Sequence, residues 1–226
     1  MYTVFLAPSM QDYNIGTGDF GTEKEYCNKV ADAIYEKFSQ NDKISIIRNT
    51  KDYLKECVDE SNRILPDLHL SIHTNADNTR TRGCEVFCYQ KGGEGERFSN
   101  IVYEKLSKLT PSFDRGVKEG KDFYGLGKSM FELEQTVMPA SLIELDFHDN
   151  ADSVRFLLDN VKEIATAIHD SICEYFGVKV FRHWADKDFE YLNEQGVPLR
   201  EKRYCDWITR AEAISLIAKT IKSVKG

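Results

Sequence analysis

The sequence predicts an α/β protein in which a mostly parallel, twisted sheet is covered by helices on both faces. Strand-like apolar runs alternate with amphipathic helix-like runs along residues 2–176, which is the order typical of parallel sheets. Residues 68–73 (LHLSIH) alternate apolar and polar side chains, and a polar loop follows at once. Residues 141–147 (SLIELDF) form a further apolar run of strand length.

Each element has a local signal in the chain. Strands are predicted at residues 2–7, 43–48, 68–73, 84–89 and 141–147. Helices are predicted from Thr22 to about Gln40 and at residues 53–64, 98–109 and 152–176. Thr22 is the expected N-cap of the first helix, with Glu23 in its first turn. Residues 112–136 carry many Gly and charged residues and are predicted to form a surface loop over the site.

Length and composition limit the class of protein. The 226 residues suit one α/β domain, placed at residues 1–177, and a small module of two amphipathic helices at residues 178–226. No apolar run reaches the ~20 residues of a membrane span, so we expect no membrane insertion. The net charge of −7 argues against a nucleic-acid partner. The amino terminus has the pattern of a strand and not of a signal peptide, so synthesis in the cytoplasm is expected.

Three ionisable residues stand out by their positions. His73 ends a predicted strand, and ligands of α/β sheets gather at the carboxyl ends of strands. Glu144 lies inside an apolar strand, where a charge is rarely buried unless it is paired or bound to metal. Glu23 lies in the first turn of a helix. Each has an ordinary alternative: a hydrogen-bonded structural histidine, a partner for a buried cation, and an acid favoured by the helix dipole.

Zinc chemistry would use residues of these types. Catalytic zinc keeps three protein ligands and an open position for water, and a nearby carboxylate that is not a ligand can accept the proton of that water. One His and one Glu would fill two ligand positions, and a second Glu would be the base. The six cysteines have no CxxC spacing, so reduced thiols are expected and not a zinc–thiolate cluster.

The chain resembles the zinc-dependent N-acetylmuramoyl-L-alanine amidases of bacterial autolysins and phage endolysins. Four segments carry the resemblance, in the family's order: GTEKEYCNKVADAI, SIHTNAD, RGCEVF and TVMPASLIELDFHDNADSVRFL. It implies that Glu144 is the catalytic Glu, that Glu23 and His73 bind Zn²⁺, and that the substrate is cell-wall peptidoglycan. The bond cleaved would be the amide between N-acetylmuramic acid and L-alanine. Asn75, next to His73, could hold the peptide stem.

The sequence departs from the family at the first metal ligand. The family has an Asp-Pro-Gly-His-Gly loop after the first strand, whereas this chain has Met10 or Gln11 at the position of the histidine. A thioether is a poor ligand for zinc, so Gln11, through its amide oxygen, is one candidate for the third ligand. His148, four residues after Glu144, is the other.

Two other functions stay open at this point. A zinc peptidase of wall peptides would use the same metal chemistry, and a non-catalytic wall-binding protein would explain the missing histidine. The carboxy-terminal module resembles one S-layer homology motif, through Trp184–Ala185 and the runs DFEYLNEQGV and ITRAEAISLIAKTI. That resemblance implies that the module binds the cell wall. The alternatives are that it packs as a helical cap on the catalytic domain or that it pairs with a second copy of the chain in a homodimer. Without a signal peptide, an endolysin acting on the wall after release or lysis is expected.

Overall fold

A six-stranded sheet forms the centre of the protein. The structure is a computed structural model that describes residues 1–39, 41–111 and 115–180, together with positions 191, 195, 214, 215, 218 and 219. The strands are β1 (Tyr2–Pro8), β2 (Ile44–Arg48), β3 (Leu68–Asn75), β4 (Glu85–Cys88), β5 (Val117–Glu119) and β6 (Ala140–Phe147). Their order across the sheet is β2-β1-β3-β6-β4-β5.

The sheet is mostly parallel, as the sequence predicts. Strands β1, β2, β3 and β6 pair in parallel, and so do β4 and β5, whereas β4 runs antiparallel to β6. Strands β1, β3 and β6 are buried along nearly their whole length. This burial explains the apolar character of β1 and β6, because a strand covered on both faces has few positions for exposed polar side chains. In β3 the alternate polar residues His69 and Ser71 are buried as well.

Helices flank the sheet, which confirms the predicted fold class. They are α1 (Glu23–Phe38), α2 (Leu54–Ile64), α3 (Glu94–Ser107), α4 (Phe131–Gln135), α5 (Ala151–Asp159) and α6 (Val161–Tyr175). From β1 the chain moves outward to the edge strand β2, and it then crosses back past β1 to reach β3 on the other side. Right-handed crossovers therefore put α1 and α2 on opposite faces. Helix α6 packs against α1 and α3, while α2 contacts α4.

Two predictions about the second half of the domain are wrong. Residues 112–136 are not only a surface loop, because they contain the edge strand β5 and the short helix α4, which buries Glu132 and Leu133. The predicted helix at residues 152–176 is two helices, broken at Asn160. The backbone of Asn160 is not helical (φ −120°, ψ 24°), and its side-chain amide donates to the carbonyl of Phe156 at 2.7 Å.

The carboxy-terminal part of the chain is a separate unit. The chain divides into two compact units, Met1–Lys179 and Val180–Gly226. The two predicted helices of the carboxy-terminal module lie almost wholly outside the described residues, so its helical, wall-binding and dimerising roles stay predictions. None of the described helices has the length and apolar character needed to cross a bilayer.

Candidate active site

A cavity of about 330 Å³ opens beside the carboxyl ends of β1, β3 and β6. Its polar lining includes Gln11, His73, Glu132 and Glu144. The cavity thus lies where the strand order predicts a ligand site, at the carboxyl edge of an α/β sheet.

His73 and Glu144 are neighbours across two parallel strands. Strands β3 and β6 are paired with His73 opposite Glu144, so both side chains project from the same face of the sheet. The spacing between hydrogen-bonded strands is about 4.8 Å, which keeps the two residues close whatever their side chains contact. The pairing changes register between His73 and Asn75, at the point where the strand reaches the loop.

Glu144 is a carboxylic acid in surroundings that disfavour its charge. Its Oε2 atom is buried and accepts no hydrogen bond. Burial, together with the nearby carboxylates of Glu23, Glu85 and Glu132, raises the pKa of Glu144 to about 8 although His73 opposes the shift. A carboxyl with a strongly raised pKa in a cavity is typical of an acid–base group.

Glu23 contacts His73 from the start of α1. Thr22 caps this helix in a capping box with Glu25, and the first-turn side chain of Glu23 turns inward until it is 1% exposed. Its Oε1 lies 2.9 Å from Nδ1 of His73, and its Oε2 accepts from Nδ2 of Asn14 at 2.7 Å. Burial alone would raise the pKa of Glu23, but the hydrogen bond and charge of His73, together with hydrogen bonds from Asn14 and Ser9, outweigh burial and lower the pKa.

The pKa of His73 is raised by its two carboxylate neighbours. Burial alone would lower it, but the nearby carboxylates of Glu132 and Glu23 raise it well above the usual value. Two anionic groups around one imidazole make this point of the cavity attractive to a cation, either a proton or a metal ion.

The loop after β1 brings Gln11 toward this pair. Oε1 of Gln11 accepts from Nδ2 of Asn14 at 2.8 Å, and the same amide nitrogen donates to Glu23. The oxygens of Gln11 and Glu23 therefore face one common donor. Met10 is used differently, because its sulfur accepts from Nδ2 of Asn49 at 3.4 Å and its side chain packs on Phe5 and Ala7.

His148 and Asn75 do not line the cavity. The Nδ1 atom of His148 is 2.9 Å from the hydroxyl of Thr74, and its ring stacks on Phe20 with 4% exposure. Asn75 donates its amide to Glu85 at 2.7 Å. The structure therefore brings Glu23, His73, Gln11 and Glu144 together but leaves His148 and Asn75 in contacts within the protein.

Glu132 is a site residue that the sequence reasoning missed. It lies in α4 and is 4% exposed, with Oε1 at 3.2 Å from Nε2 of His69 and Oε2 at 3.6 Å from Nε2 of His73. Burial alone would raise its pKa, but the two histidines hold the pKa well below the ordinary value. The apolar neighbours Met130 and Leu133 were the available signal, because they mark the segment as partly buried.

Two side chains of this site, Glu23 and His73, are of types that could hold a divalent metal, and the amide oxygen of Gln11 is the candidate for a third donor. Among the described residues no group of three His, Cys, Asp or Glu side chains is arranged to hold a metal. Glu23 and His73 are adjacent and of the types that zinc binds. An amide oxygen, which is a weaker donor than imidazole, is the remaining side chain next to them.

The mouth of the cavity carries exposed aromatic rings. Tyr13, Tyr53, Tyr124 and Phe131 all belong to the lining, and each is well exposed to solvent. Exposed aromatic rings around a polar cavity offer flat apolar surface with polar tips, which suits ligands that have both apolar and polar faces.

The chain is similar in sequence and fold to N-acetylmuramoyl-L-alanine amidases. The model of the Amidase_3 family, described as N-acetylmuramoyl-L-alanine amidase, matches residues 7–174. The N-acetylmuramoyl-L-alanine amidase LytC of Bacillus subtilis (strain 168) is 28% identical over 184 residues, which are 77% of this chain and 35% of LytC. The chain spans about a quarter to a third of the length of the curated relatives it matches.

Solved amidase structures share the fold. The catalytic domain of CwlV, an amidase from Bacillus (Paenibacillus) polymyxa var. colistinus, superimposes with a TM-score of 0.69 at 23% identity, covering 79% of this chain and 100% of CwlV's. An N-acetylmuramoyl-L-alanine amidase from Clostridium difficile 630 gives a TM-score of 0.65 at 23% identity, with 79% and 98% covered. Because the family model matches most of its length, the chain belongs to the N-acetylmuramoyl-L-alanine amidase family.

Proposed function

We propose that the protein is a zinc-dependent N-acetylmuramoyl-L-alanine amidase, which hydrolyses the amide bond between N-acetylmuramic acid and the L-alanine of the peptidoglycan stem. The observation that carries this proposal is Glu144. It is a carboxylic acid with an unpartnered buried oxygen, beside His73 and inside the cavity. Membership of the amidase family supports the choice of bond.

Glu23 and His73 would hold the metal, with Gln11 as the third protein donor. The chemistry that zinc supplies when bound is Lewis acidity, which makes water a better nucleophile and polarises a carbonyl group. A cation at Glu23 and His73 also favours the ionised form of Glu144, since opposite charges lower the pKa of a carboxyl. Glu144 would then be a base at neutral pH.

Glu144 would carry the proton through the reaction. It accepts the proton of the attacking water at the unpartnered Oε2, and later gives a proton to the nitrogen of the leaving L-alanine. The buried surroundings that raise its pKa help the second half of this cycle, because they favour the protonated acid. The exposed rings of Tyr13, Tyr53 and Tyr124 would pack against the sugar and the lactyl group.

The product of digestion tests the function. Purified peptidoglycan is treated with zinc-loaded wild type, chelator-treated wild type and Glu144→Gln, and the fragments are identified by mass spectrometry. An amidase releases intact stem peptides with a free L-alanine amino group and leaves the glycan whole. Shortened stems would identify a wall peptidase instead. Co-sedimentation with walls in the absence of any hydrolysis would identify a non-catalytic binding protein.

We further propose that residues 178–226 bind wall polymer or form a homodimer. The proposal rests on the S-layer-homology-like sequence runs of this module. Sedimentation of the full chain with native walls, and with walls stripped of their secondary polymers, tests the first role. Analytical ultracentrifugation tests the second. Action on the wall after release or lysis is the corresponding proposal for where the protein works.

A further inference from the structure

The two ring nitrogens of His73 face two different carboxylates. Nδ1 is 2.9 Å from Oε1 of Glu23, and Nε2 is 3.6 Å from Oε2 of Glu132. Both carboxylates are at most 4% exposed. The proposed function uses only the Glu23 side of this arrangement, so the role of the buried charge on Glu132 needs its own explanation.

Glu132 is held in place by a second histidine. Its Oε1 lies 3.2 Å from Nε2 of His69, which is fully buried. His69 is fixed in turn by the hydroxyl of Ser61, 2.9 Å from its Nδ1, and by stacking on Phe5. The contact with this fixed histidine places the Glu132 carboxylate beside the His73 ring.

Such a contact controls how an imidazole binds metal. A neutral imidazole has one N–H and one lone pair, and the partner of one nitrogen decides which form is present. Histidine ligands of metals commonly donate the second N–H to a carboxylate, which fixes the ring and increases its basicity. Each of the two carboxylates favours a proton on the ring nitrogen that it faces. A metal ion that replaces the proton between Nδ1 and Glu23 leaves the other proton on Nε2, where it faces Glu132.

We propose that Glu132 is a positioning residue for metal binding, which orients His73 through its Nε2–H and is itself anchored by His69. The proposal rests on the proposed zinc function and adds to it a residue outside the set of direct ligands. It also offers a reason why a site without the usual first histidine can hold zinc. A more basic, better oriented His73 offsets the weak amide donor of Gln11.

The geometry argues against Glu132 as a direct ligand of the same ion. The two nitrogens of an imidazole point away from each other, so a metal shared by Nδ1 and Glu23 lies away from the side that Glu132 occupies. The direct-ligand role is nevertheless one of the results that the experiment separates.

The test is the affinity for Zn²⁺, measured by competition with a chromophoric chelator. Wild type is compared with Glu132→Gln, which keeps the shape but removes the charge, and with Glu134→Gln, which changes an exposed residue of the same helix. We expect Glu132→Gln to bind Zn²⁺ roughly 10–100-fold more weakly, and Glu134→Gln to match wild type. Unchanged affinity in Glu132→Gln overturns the proposal, and complete loss of stoichiometric binding overturns it in favour of a direct ligand.

Nitrogen NMR of the His73 ring gives a second readout that needs no variant. In zinc-loaded wild type we expect the proton on Nε2 and the metal on Nδ1. The reverse arrangement would overturn the proposal even if Glu132→Gln failed to fold. A wild-type protein that binds no Zn²⁺ at all refutes the proposed function and this inference with it. A wild type that binds Zn²⁺ and a variant that binds it equally well refute the inference alone.

Discussion

Replacing Glu144 by Gln should make the metal-free protein more stable at high pH and change little at low pH. The folded-state pKa of about 8 lies above the ordinary value of 4.5. The folded protein therefore keeps a proton that the unfolded chain releases above pH 4.5. The stability that this proton contributes is complete below that value and is lost as the pH rises through 8.

The size of the effect follows from the shift in pKa. Each pH unit between the two values corresponds to roughly 1.4 kcal/mol in the free energy of unfolding. The whole window gives on the order of 4–5 kcal/mol as an upper limit, since relaxation and water entry reduce the penalty of a buried charge. Gln has the shape of the protonated acid and does not ionise, so Glu144→Gln avoids this loss.

Urea unfolding of chelator-treated protein from pH 5 to pH 8.5, followed by circular dichroism, measures the difference. The two stability curves should nearly meet at pH 5 and separate steadily as the pH rises. Glu134→Gln, an exposed change, is the control and should follow wild type. Parallel curves for wild type and Glu144→Gln would refute the reasoning, because they would mean that Glu144 ionises as easily in the folded protein as in the unfolded chain.

Three further predictions concern the metal ligands and the aromatic residues at the mouth of the cavity. Glu23→Ala and His73→Ala should each abolish tight zinc binding, because each removes one of few ligands; stoichiometric zinc in either variant, measured by metal analysis after dialysis, would place the site elsewhere. Gln11→His should bind zinc more tightly than wild type, since imidazole suits zinc better than an amide, whereas His148→Ala should keep its metal. A zinc titration of both variants checks this. Unchanged affinity in Gln11→His together with loss of metal in His148→Ala would identify His148 as the ligand. Tyr53→Ala should raise KM by about fivefold with kcat unchanged, as expected when substrate binding is lost uniformly, and a fall in kcat alone would contradict a role in binding.

The sequence was sufficient to identify candidate site residues that lie in or at the end of a predicted strand. His73 stood out because it ends a predicted strand and Glu144 because it lies inside an apolar strand, and the sheet makes the two residues neighbours. That adjacency itself was not predictable from the pattern, since nothing in the two strands states that β6 pairs with β3 and not with another strand. The split of the last helix was missed for a related reason. One Asn is compatible with a helix, and only its local contacts show that the helix ends there.

Glu132 was not predicted because most of its segment has the composition of a loop, and the apolar neighbours Met130 and Leu133 are the one local sign of burial. The run from 112 to 136 contains many Gly and charged residues, and the helix α4 has only five residues, too few to show a periodic pattern. Its burial depends on contacts with His69 and His73, more than 55 positions earlier in the chain. Asn14 was missed in the same way, since a polar residue in a polar loop carries no signal before the loop is folded.

The site has two parts that differ in how freely evolution can change them. The first part is the strand pair that holds His73 and Glu144. Their separation is set by hydrogen bonds between two backbones, which substitutions of neighbouring side chains do not alter. Gln11 instead lies on the loop after β1, where the chain is not part of the sheet. A loop ligand can be exchanged one residue at a time, while the base and its neighbour stay in register. In the proposed site, metal preference could therefore change through the loop while the strand pair that holds the proposed base, Glu144, stays the same.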